Sequence, residues 1–123
     1  MPKILVVGSA SLDTLIINDQ PVPSAGGAGM YTAMAAHRAG ANVTMFGLRP
    51  NPVPEVLAPM EVRLEEWLGP NVAPDQMPHF TIRHQGDKAE YLDFKIGAES
   101  LMDPDFLPDD LSSFDGTHAV SYT

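Results

Sequence analysis

The fold of this chain is decided by the stretch Gly26-Gly27-Ala28-Gly29-Met-Tyr-Thr-Ala-Met-Ala-Ala-His-Arg-Ala-Gly40-Ala-Asn-Val-Thr-Met-Phe-Gly47. Its part rich in Ala and Met, residues 30–39, has no internal Gly or Pro and predicts a helix that ends at Gly40. Residues 42–47 predict a strand, and the apolar run Lys3-Ile-Leu-Val-Val-Gly8 predicts an earlier strand buried on both faces. Strand, helix and strand in this order predict a βαβ unit with a parallel sheet.

The rest of the chain reads as shorter pieces. Thr14–Asn18 is a second β-rich run, and Asp19–Ala25, which contains two prolines, predicts a loop. Residues 80–94 predict a β-hairpin around Gly86-Asp87, in which Phe80 and Ile82 on one strand, and Leu92 and Phe94 on the other, lie on a covered face. In the middle of the chain, a helix over 59–69 and a strand over 63–68 are both compatible with the sequence. Residues 118–122 predict a final strand.

Composition narrows the class of protein. The chain has 123 residues, 44% hydrophobic and 19% charged, which is typical of one soluble globular domain. Seven Lys and Arg against 16 Asp and Glu give a net charge of 7 − 16 = −9. This charge argues against nucleic acid and anionic membranes as partners, because both are polyanions. Since there is no cysteine, disulfides, thiolate metal sites and a Cys nucleophile are excluded.

The charge is unevenly spread along the chain. Residues 1–50 hold three bases and two acids, whereas 97–115 hold six acids and no base, which predicts a solvated loop with short helical turns. No apolar run approaches the roughly 20 residues that span a bilayer. The start MPKILVVG lacks the features of a secretory signal. We therefore expect a cytoplasmic protein.

Two short motifs carry candidate chemistry. In Gly8-Ser9-x-x-x-Asp13, a carboxylate lies just beyond a strand end, where ligands of open α/β sheets bind. A carboxylate accepts two hydrogen bonds well, although an Asp here is also a common turn residue. The cluster Gly26–Gly29 opens the helix, where it either lets a ligand approach the backbone or only permits a tight entry into the helix.

Several other kinds of site are disfavoured. The glycine cluster does not follow its strand directly as G-x-G-x-x-G, and no G-x-x-x-x-G-K-[ST] occurs, which argues against a Rossmann half and excludes a P-loop. The four histidines have no metal-ligand spacing, so we expect no metal site. No Ser/His/Asp triad is recognisable.

Taken together and in this order, the two motifs are far more specific than either alone. Gly8-Ser9-x-x-x-Asp13, then Gly26-Gly27-x-Gly29 and the helix that closes with Arg38-Ala-Gly40-Ala-Asn-Val-Thr-Met-Phe-Gly47, resemble the N-terminal region of ribokinase-like (PfkB) carbohydrate kinases. The match covers residues 3–47 and extends to 79–98. The resemblance implies an α/β fold, the start of a three-layer α/β/α sandwich whose parallel main sheet is incomplete. It also implies a β lid, with strands at about 14–18 and 80–94.

The resemblance also implies a site. In the family the early Asp and the Gly-Gly pair hold the hydroxyls of the acceptor, so Asp13, Gly26 and Gly27 are expected to bind a small polyhydroxy substrate. Further residues are expected to shape the pocket or, as lid residues, to close over it: Ser11, Ala28 and Tyr31 for the pocket, Ile82 and Phe94 for the lid.

The sequence also departs from the family pattern. Many members have Asn where this chain has Ser11 and Tyr31, and ribokinases often have Lys where it has Ala28. The common Gly-Asp-Asp after the second main strand is replaced by Leu48-Arg-Pro-Asn-Pro52. These differences predict a divergent subfamily with an acceptor other than ribose.

The implied function is acceptor binding within an ATP-dependent kinase of sugars or nucleoside-like alcohols. ATP and Mg²⁺ are implied for a full-length parent and not for this chain alone. The family's catalytic Asp lies in a Gly-Ala-Gly-Asp motif that is absent here, so no catalytic residue is expected in residues 1–123, which form the N-terminal segment of one domain. We expect the chain alone to be inactive, and its final strand suggests part of a longer protein.

A second interpretation stays open. The chain would then be a small non-catalytic α/β module that self-associates through its lid-like sheet, because exposed apolar lid faces favour pairing. In the family the lid often also forms a dimer contact, so the kinase interpretation allows a homodimer through the lid strands, whereas the second interpretation requires association through them.

Overall fold

The computed structural model of the protein describes residues 1–120. Within them lie three sheets and two α-helices. The strands are β1 (Lys3–Val7), β2 (Ser11–Ile17), β3 (Gln20–Gly26), β4 (Asn42–Phe46), β5 (Arg49–Pro50), β6 (Glu66–Leu68), β7 (Asn71–Val72), β8 (His79–Gln85), β9 (Lys88–Lys95) and β10 (Gly116–Ala119). The helices are α1 (Ala28–Arg38) and α2 (Ala58–Glu61).

The main sheet has the strand order β10-β1-β4-β6, and all its strands are parallel. This confirms the predicted α/β class with a parallel sheet. Helix α1 connects the lid strands to β4 and packs on β1 and β4. The core lies on this side of the sheet, where Val6, Val43 and Met45 are at most 1% exposed. The prediction of a strand over 118–122 is met by β10 as far as Ala119, and residues 121–122 lie outside the described residues.

Helix α1 begins and ends at glycines. Gly27 is its N-cap with φ of +98°, and Gly40 follows the C-cap with φ of +100°. A side chain would strain both positions, since positive φ is costly for residues with a Cβ. The helix therefore begins two residues earlier than predicted and ends where Gly40 predicts.

The acidic segment 97–115 covers the other face of the main sheet. It contains 3₁₀ turns at Glu99–Leu101 and Pro104–Phe106, as the sequence predicts. Met102 and Leu107 line a common cavity with Val7 and Phe46, which are paired neighbours on β1 and β4. Two layers thus enclose the parallel sheet, one helical and one built from turns.

The second sheet, which we call the lid sheet, has the order β3-β2-β8-β9. The loop predicted over Asp19–Ala25 is wrong from Gln20 onward, because residues 20–25 belong to β3, which pairs antiparallel with β2 along its whole length; Asp19 lies in the turn between the two strands. Its prolines, Pro21 and Pro23, are tolerated because β3 is an edge strand, where a missing N–H donor is not needed by a further strand.

The hairpin β8–β9 is confirmed, with its turn at Gly86 and Asp87. A register shift after Thr81 places Tyr91 opposite Ile82, and Leu92 is left as the extra residue of a bulge. The expectation that Leu92 shares a face with Phe94 is therefore wrong, since Tyr91 takes that place. The expected covered face is also absent from β9, all of whose residues are exposed.

Residues 48–78 contain both alternatives that the sequence left open. A short helix, α2, is followed by the strand β6, and β5 pairs with β7 in a small sheet. Proline at 59 suits the first turn of α2, as expected. Neither helix among residues 1–120 has the length and apolar character needed to cross a membrane.

Candidate functional site

The first strand of the lid sheet carries the polar side chains of the candidate site. Ser11 and Asp13 lie two residues apart on β2, so they share one face of the sheet. Both are buried, with exposures of 1% and 9%. Their antiparallel partners on β3 are Gly26 for Ser11 and Ser24 for Asp13. The pairing of β2 with β3 therefore brings the early carboxylate beside the glycine pair.

The Asp13 carboxylate is held in place at one of its oxygens. Its Oδ1 accepts a hydrogen bond of 3.1 Å from the backbone N–H of Phe80 on β8. A Cβ at Gly26 would collide with Oδ2 and would lie 2.8 Å from Oγ of Ser11. Gly26 is thus required because the carboxylate occupies the space of its side chain.

The backbone at Gly27 joins this corner to the main sheet. A Cβ there would collide with the carbonyl oxygen of Ser9 and would lie 2.7 Å from Cα of Ala10. The same Ser9 carbonyl accepts a hydrogen bond of 3.2 Å from Met30 N–H in the first turn of α1. The start of α1 is therefore packed directly against the segment that follows β1, which only glycines at this corner allow.

Two oxygens in this corner have no protein partner. Oγ of Ser11 is buried and makes no hydrogen bond within residues 1–120, and Oδ2 of Asp13 makes none there either. A hydroxyl both donates and accepts, and a carboxylate oxygen accepts. Oxygens of these two kinds form hydrogen bonds with hydroxyl groups. A buried polar group without a partner is costly, so a ligand that supplies one would be stabilised here.

Ala28 and Tyr31 lie in different positions relative to this corner. Ala28 is the first residue of α1 and directly follows Gly27. Tyr31 is 58% exposed, and its hydroxyl donates a hydrogen bond of 3.1 Å to the Ala25 carbonyl. Tyr31 also lines a cavity between α1 and α2. The structure therefore brings Ser11, Asp13, Gly26 and Gly27 together, and the Tyr31 hydroxyl reaches the carbonyl of Ala25, which directly precedes Gly26.

The lid residues form an aromatic face on the same side as Asp13. Phe80 stacks on Phe94 with ring centroids 4.4 Å apart and meets Tyr91 edge-on at 6.0 Å. Ile82 is paired with Leu15 on β2 and with Tyr91 on β9. Alternation along β2 and β8 places Leu15, Phe80 and Ile82 on the face that carries Ser11 and Asp13.

Phe80 was missed by the sequence analysis as a site residue. It contributes a backbone N–H to Asp13 and a ring to the lid face. The ring could have been found from the alternation of apolar residues over 80–94. The hydrogen bond could not, because it joins residues 67 positions apart and depends on the parallel pairing of β2 with β8.

A separate cavity of about 510 Å³ lies on the turn-covered face of the main sheet, beside Gly8 and Ser9. Glu99 lines it and is half-buried, so the expectation of a fully solvated acidic loop is wrong at this residue. Burial raises the pKa of Glu99 above its usual value of 4.5, and the Ser9 hydroxyl opposes that rise by a smaller amount. No metal-binding cluster of three or more His, Cys, Asp or Glu side chains occurs within residues 1–120.

Comparison with solved structures finds the same architecture in several kinases. The ribokinase of Cryptococcus neoformans var. grubii serotype A, solved with ADP, superimposes with a TM-score of 0.72 at 19% identity, over 96% of this chain and 40% of that one. The adenosine kinase of Sinorhizobium meliloti gives a TM-score of 0.73 at 14% identity, over 96% and 46%. A PfkB protein from Polaromonas sp. JS666 gives 0.65 at 14% identity, over 88% and 40%.

These similarities show the fold of the chain and how much of each larger structure the chain matches. No family model matches the sequence, and no curated protein matches it. The chain spans less than half the length of the solved structures named above. At these identities the likeness concerns the architecture alone. The described residues therefore adopt the fold of the N-terminal part of ribokinase-like kinases.

Proposed function

We propose that this chain binds a small polyhydroxy acceptor and serves as the acceptor-binding segment of an ATP-dependent carbohydrate or nucleoside kinase. The observation that carries the proposal is the convergence of Ser11 Oγ, Asp13 Oδ2 and the Gly26 backbone in one buried corner. Both side-chain oxygens lack a protein partner within residues 1–120. The kinase fold of the solved structures supports the choice of an alcohol as the ligand.

Each group in the corner has a distinct role in this proposal. Asp13 is fixed by the Phe80 N–H through one oxygen and accepts an acceptor hydroxyl through the other. Ser11 provides a second polar contact, and the missing side chain at Gly26 leaves room for the Asp13 carboxylate beside the backbone. The aromatic face of Phe80, Tyr91 and Phe94 covers the apolar side of the sugar and excludes water from it.

The proposal assigns to the chain only the acceptor side of the reaction. The described residues hold no cluster that fits Mg²⁺, and the sequence has no P-loop for a nucleotide. ATP and Mg²⁺ would be bound by the remainder of a longer parent, which would also supply the base. No proton or phosphoryl transfer is therefore assigned to these residues, and we expect the purified 123-residue chain to phosphorylate no sugar.

Titration calorimetry with a panel of pentoses, hexoses and nucleosides tests the proposal. We expect at least one member to bind the wild-type chain and Asp13→Asn to weaken that binding by about tenfold or more. An amide cannot replace a charged acceptor of hydroxyl hydrogen bonds, which contributes about 1.5–3 kcal/mol.

Asp19→Asn is the matched control for this experiment. It removes the same charge from an exposed position at the turn between β2 and β3, and we expect it to bind like the wild type. Failure of every polyol to bind a folded chain would contradict the proposal. Equal binding by Asp13→Asn and the wild type would contradict the role of Asp13.

A second candidate function is self-association through the lid sheet without any acceptor. The observation in its favour is apolar exposure on that sheet, where Ile17 is 42%, Val22 40% and Tyr91 69% exposed. Faces of this kind often mark interfaces. A stable dimer that is dispersed by Ile82→Lys, binds no polyol and is unchanged by Asp13→Ala would favour this candidate.

A further inference from the structure

The cavity beside Glu99 lies where the strand order of the main sheet reverses. From β1 the chain places β4 and β6 outward on one side, and it then returns to place β10 on the other side of β1. In open α/β sheets, ligands bind beyond the carboxyl ends of the strands at such a reversal. This cavity of about 510 Å³, which we call the Glu99 cavity, is lined by the last residues of β1, β4 and β10 and by those that follow β1 and β10.

The floor of the Glu99 cavity is fixed by hydrogen bonds between these strand ends. The N–H of Gly8 donates to the Phe46 carbonyl at 3.0 Å, and the N–H of Val120 donates to the Val7 carbonyl at 2.9 Å. A Cβ at Gly8 would lie only 2.5 Å from Cγ2 of Val120. The three strand ends are therefore packed against one another, and they give the cavity a defined shape.

The lining of the Glu99 cavity is mostly apolar, and its charged groups are acidic. The apolar side chains come from the sheet and from the turns that cover it: Val7, Phe46, Met102, Leu107 and Val120. The polar side chains are Ser9, Glu99 and Asp103, and no Lys, Arg or His of residues 1–120 lines the cavity. An anion is repelled by such a lining, whereas a cation with an apolar body suits both of its parts.

Glu99 is the acidic side chain with capacity left for a ligand. Asp103 is exposed, and its Oδ1 already accepts the N–H of Asp105 at 2.9 Å. Oε1 of Glu99 is buried and has no hydrogen-bond partner within residues 1–120. Burial also raises the pKa of Glu99, because the charged form loses hydration. A cationic donor beside Oε1 would offset that loss and satisfy the oxygen.

An ammonium group fits this oxygen better than a metal ion or a neutral hydroxyl does. A metal ion such as Mg²⁺ takes about six oxygen ligands, and an apolar lining supplies few of them. A neutral hydroxyl donates a hydrogen bond but leaves the charge of the carboxylate uncompensated. Hydrogen bonds between charged groups are roughly twice as strong as those between neutral ones. The lining therefore favours an organic amine.

We propose that the Glu99 cavity binds a small primary amine, whose ammonium group donates to Oε1 of Glu99 while its apolar body packs beside Phe46 and Met102. Ser9 adds a hydroxyl oxygen that accepts hydrogen bonds in the same cavity. None of the residues that line this cavity belongs to the acceptor corner, so the proposal is independent of the proposed function.

Titration of the chain with matched amines and alcohols, followed by amide chemical shifts, tests this site. The pairs are benzylamine with benzyl alcohol and cyclohexylamine with cyclohexanol, which share an apolar body and differ in charge. At about pH 7.5, where the amines are protonated, we expect at least one amine to bind about tenfold or more tightly than its alcohol. The shifts should lie at residues 7–9, 46, 99 and 120. Glu99→Gln should remove the preference and leave the affinity for the alcohol unchanged.

Asp109→Asn is the matched control for Glu99→Gln. It removes the same charge from an exposed position on the same segment that does not line the cavity, and we expect it to keep the preference for the amine. The proposal is overturned if no amine binds a chain that circular dichroism shows to be folded, if each amine and its alcohol bind equally, or if Asp109→Asn loses the preference as Glu99→Gln does. Shifts confined to residues 11–13 and 26–27 would place the amine in the acceptor corner and would likewise overturn it.

Discussion

The main sheet and the lid sheet of this protein are built on different principles. In the main sheet, Leu5, Val6 and Met45 are 0% exposed, since a helix covers one face and turns cover the other. In the lid sheet, β9 has no buried residue, and Tyr91 is 69% exposed. The main sheet is thus stabilised by its own packing, whereas the lid sheet leaves an apolar face for a ligand or a second surface.

The candidate site lies where the two sheets join. Strand β2 belongs to the lid sheet, but Ser11 and Asp13 near its start are buried. Ser11 and Asp13 are held there by Gly26 and by the Phe80 N–H. Buried packing thus fixes the position of these polar groups, whereas strand β9 of the lid sheet is exposed.

The largest expected difference between the two regions is in the free energy of unfolding that a glycine-to-alanine substitution costs. A Cβ at Gly29 would collide with the carbonyl carbon of Gly8 and lie 2.6 Å from the Ser9 nitrogen, whereas Gly86 in the lid hairpin has no atom within 4 Å of that position. We expect Gly29→Ala to lower the free energy of unfolding by at least about 3 kcal/mol. Gly86→Ala should cost about 1 kcal/mol from its positive φ alone.

Urea denaturation of both glycine variants measures this difference. Equal stabilities would mean that α1 does not pack against the end of β1 as described.

Large-to-small substitutions should show a smaller contrast. Leu5→Ala removes a fully buried side chain from the main sheet, and we expect a loss of about 3 kcal/mol. Ile17→Ala on β2 removes one that is 42% exposed, so its loss should stay below about 1 kcal/mol. Thermal unfolding with matched protein concentration compares them, and a larger loss for Ile17→Ala would show that the lid face is covered in solution.

The smallest expected contrast is in how stability depends on pH. Burial raises the folded-state pKa of Glu99 above 4.5, so its stabilising contribution is present below the unfolded pKa and is lost as pH rises through the folded pKa. Glu99→Gln should therefore become more stable relative to the wild type between about pH 4 and pH 7. The gain should be a fraction of a kcal/mol, because Glu99 is only half-buried.

Glu55→Gln, at an exposed position, removes the same charge and controls for the change in net charge. A stability difference between wild type and Glu99→Gln that is flat over this range would contradict the burial of Glu99.

Much of the main sheet could be predicted from the sequence. Local sequence was enough to predict the strands within 3–8 and 42–47 and the Ala-rich helix between glycines. In these segments the intrinsic propensity and the pattern of burial favour the same structure. The hairpin around Gly86 was predicted for the same reason. The proximity of Asp13 to the glycine pair was expected from family resemblance, and the packing of their atoms was not.

The remainder depended on tertiary pairing. Strand β3 has two prolines and reads as a loop, yet it forms because β2 offers a complete antiparallel partner at a sheet edge. The bulge at Leu92 follows from the register of β8 with β9, which no local pattern specifies. The hydrogen bond from the Tyr31 hydroxyl to the Ala25 carbonyl likewise depends on how α1 packs beside β3, and no sequence pattern specifies it.

Mapping of amide chemical shifts during a polyol titration tests the central claim most directly. The account predicts that the shifts of the wild-type chain concentrate at residues 11–13, 26–27 and 80, and that they vanish in Asp13→Asn while Asp19→Asn retains them. Shifts confined to the cavity between α1 and α2, or to the cavity beside Glu99, would contradict an acceptor site at the junction of the two sheets.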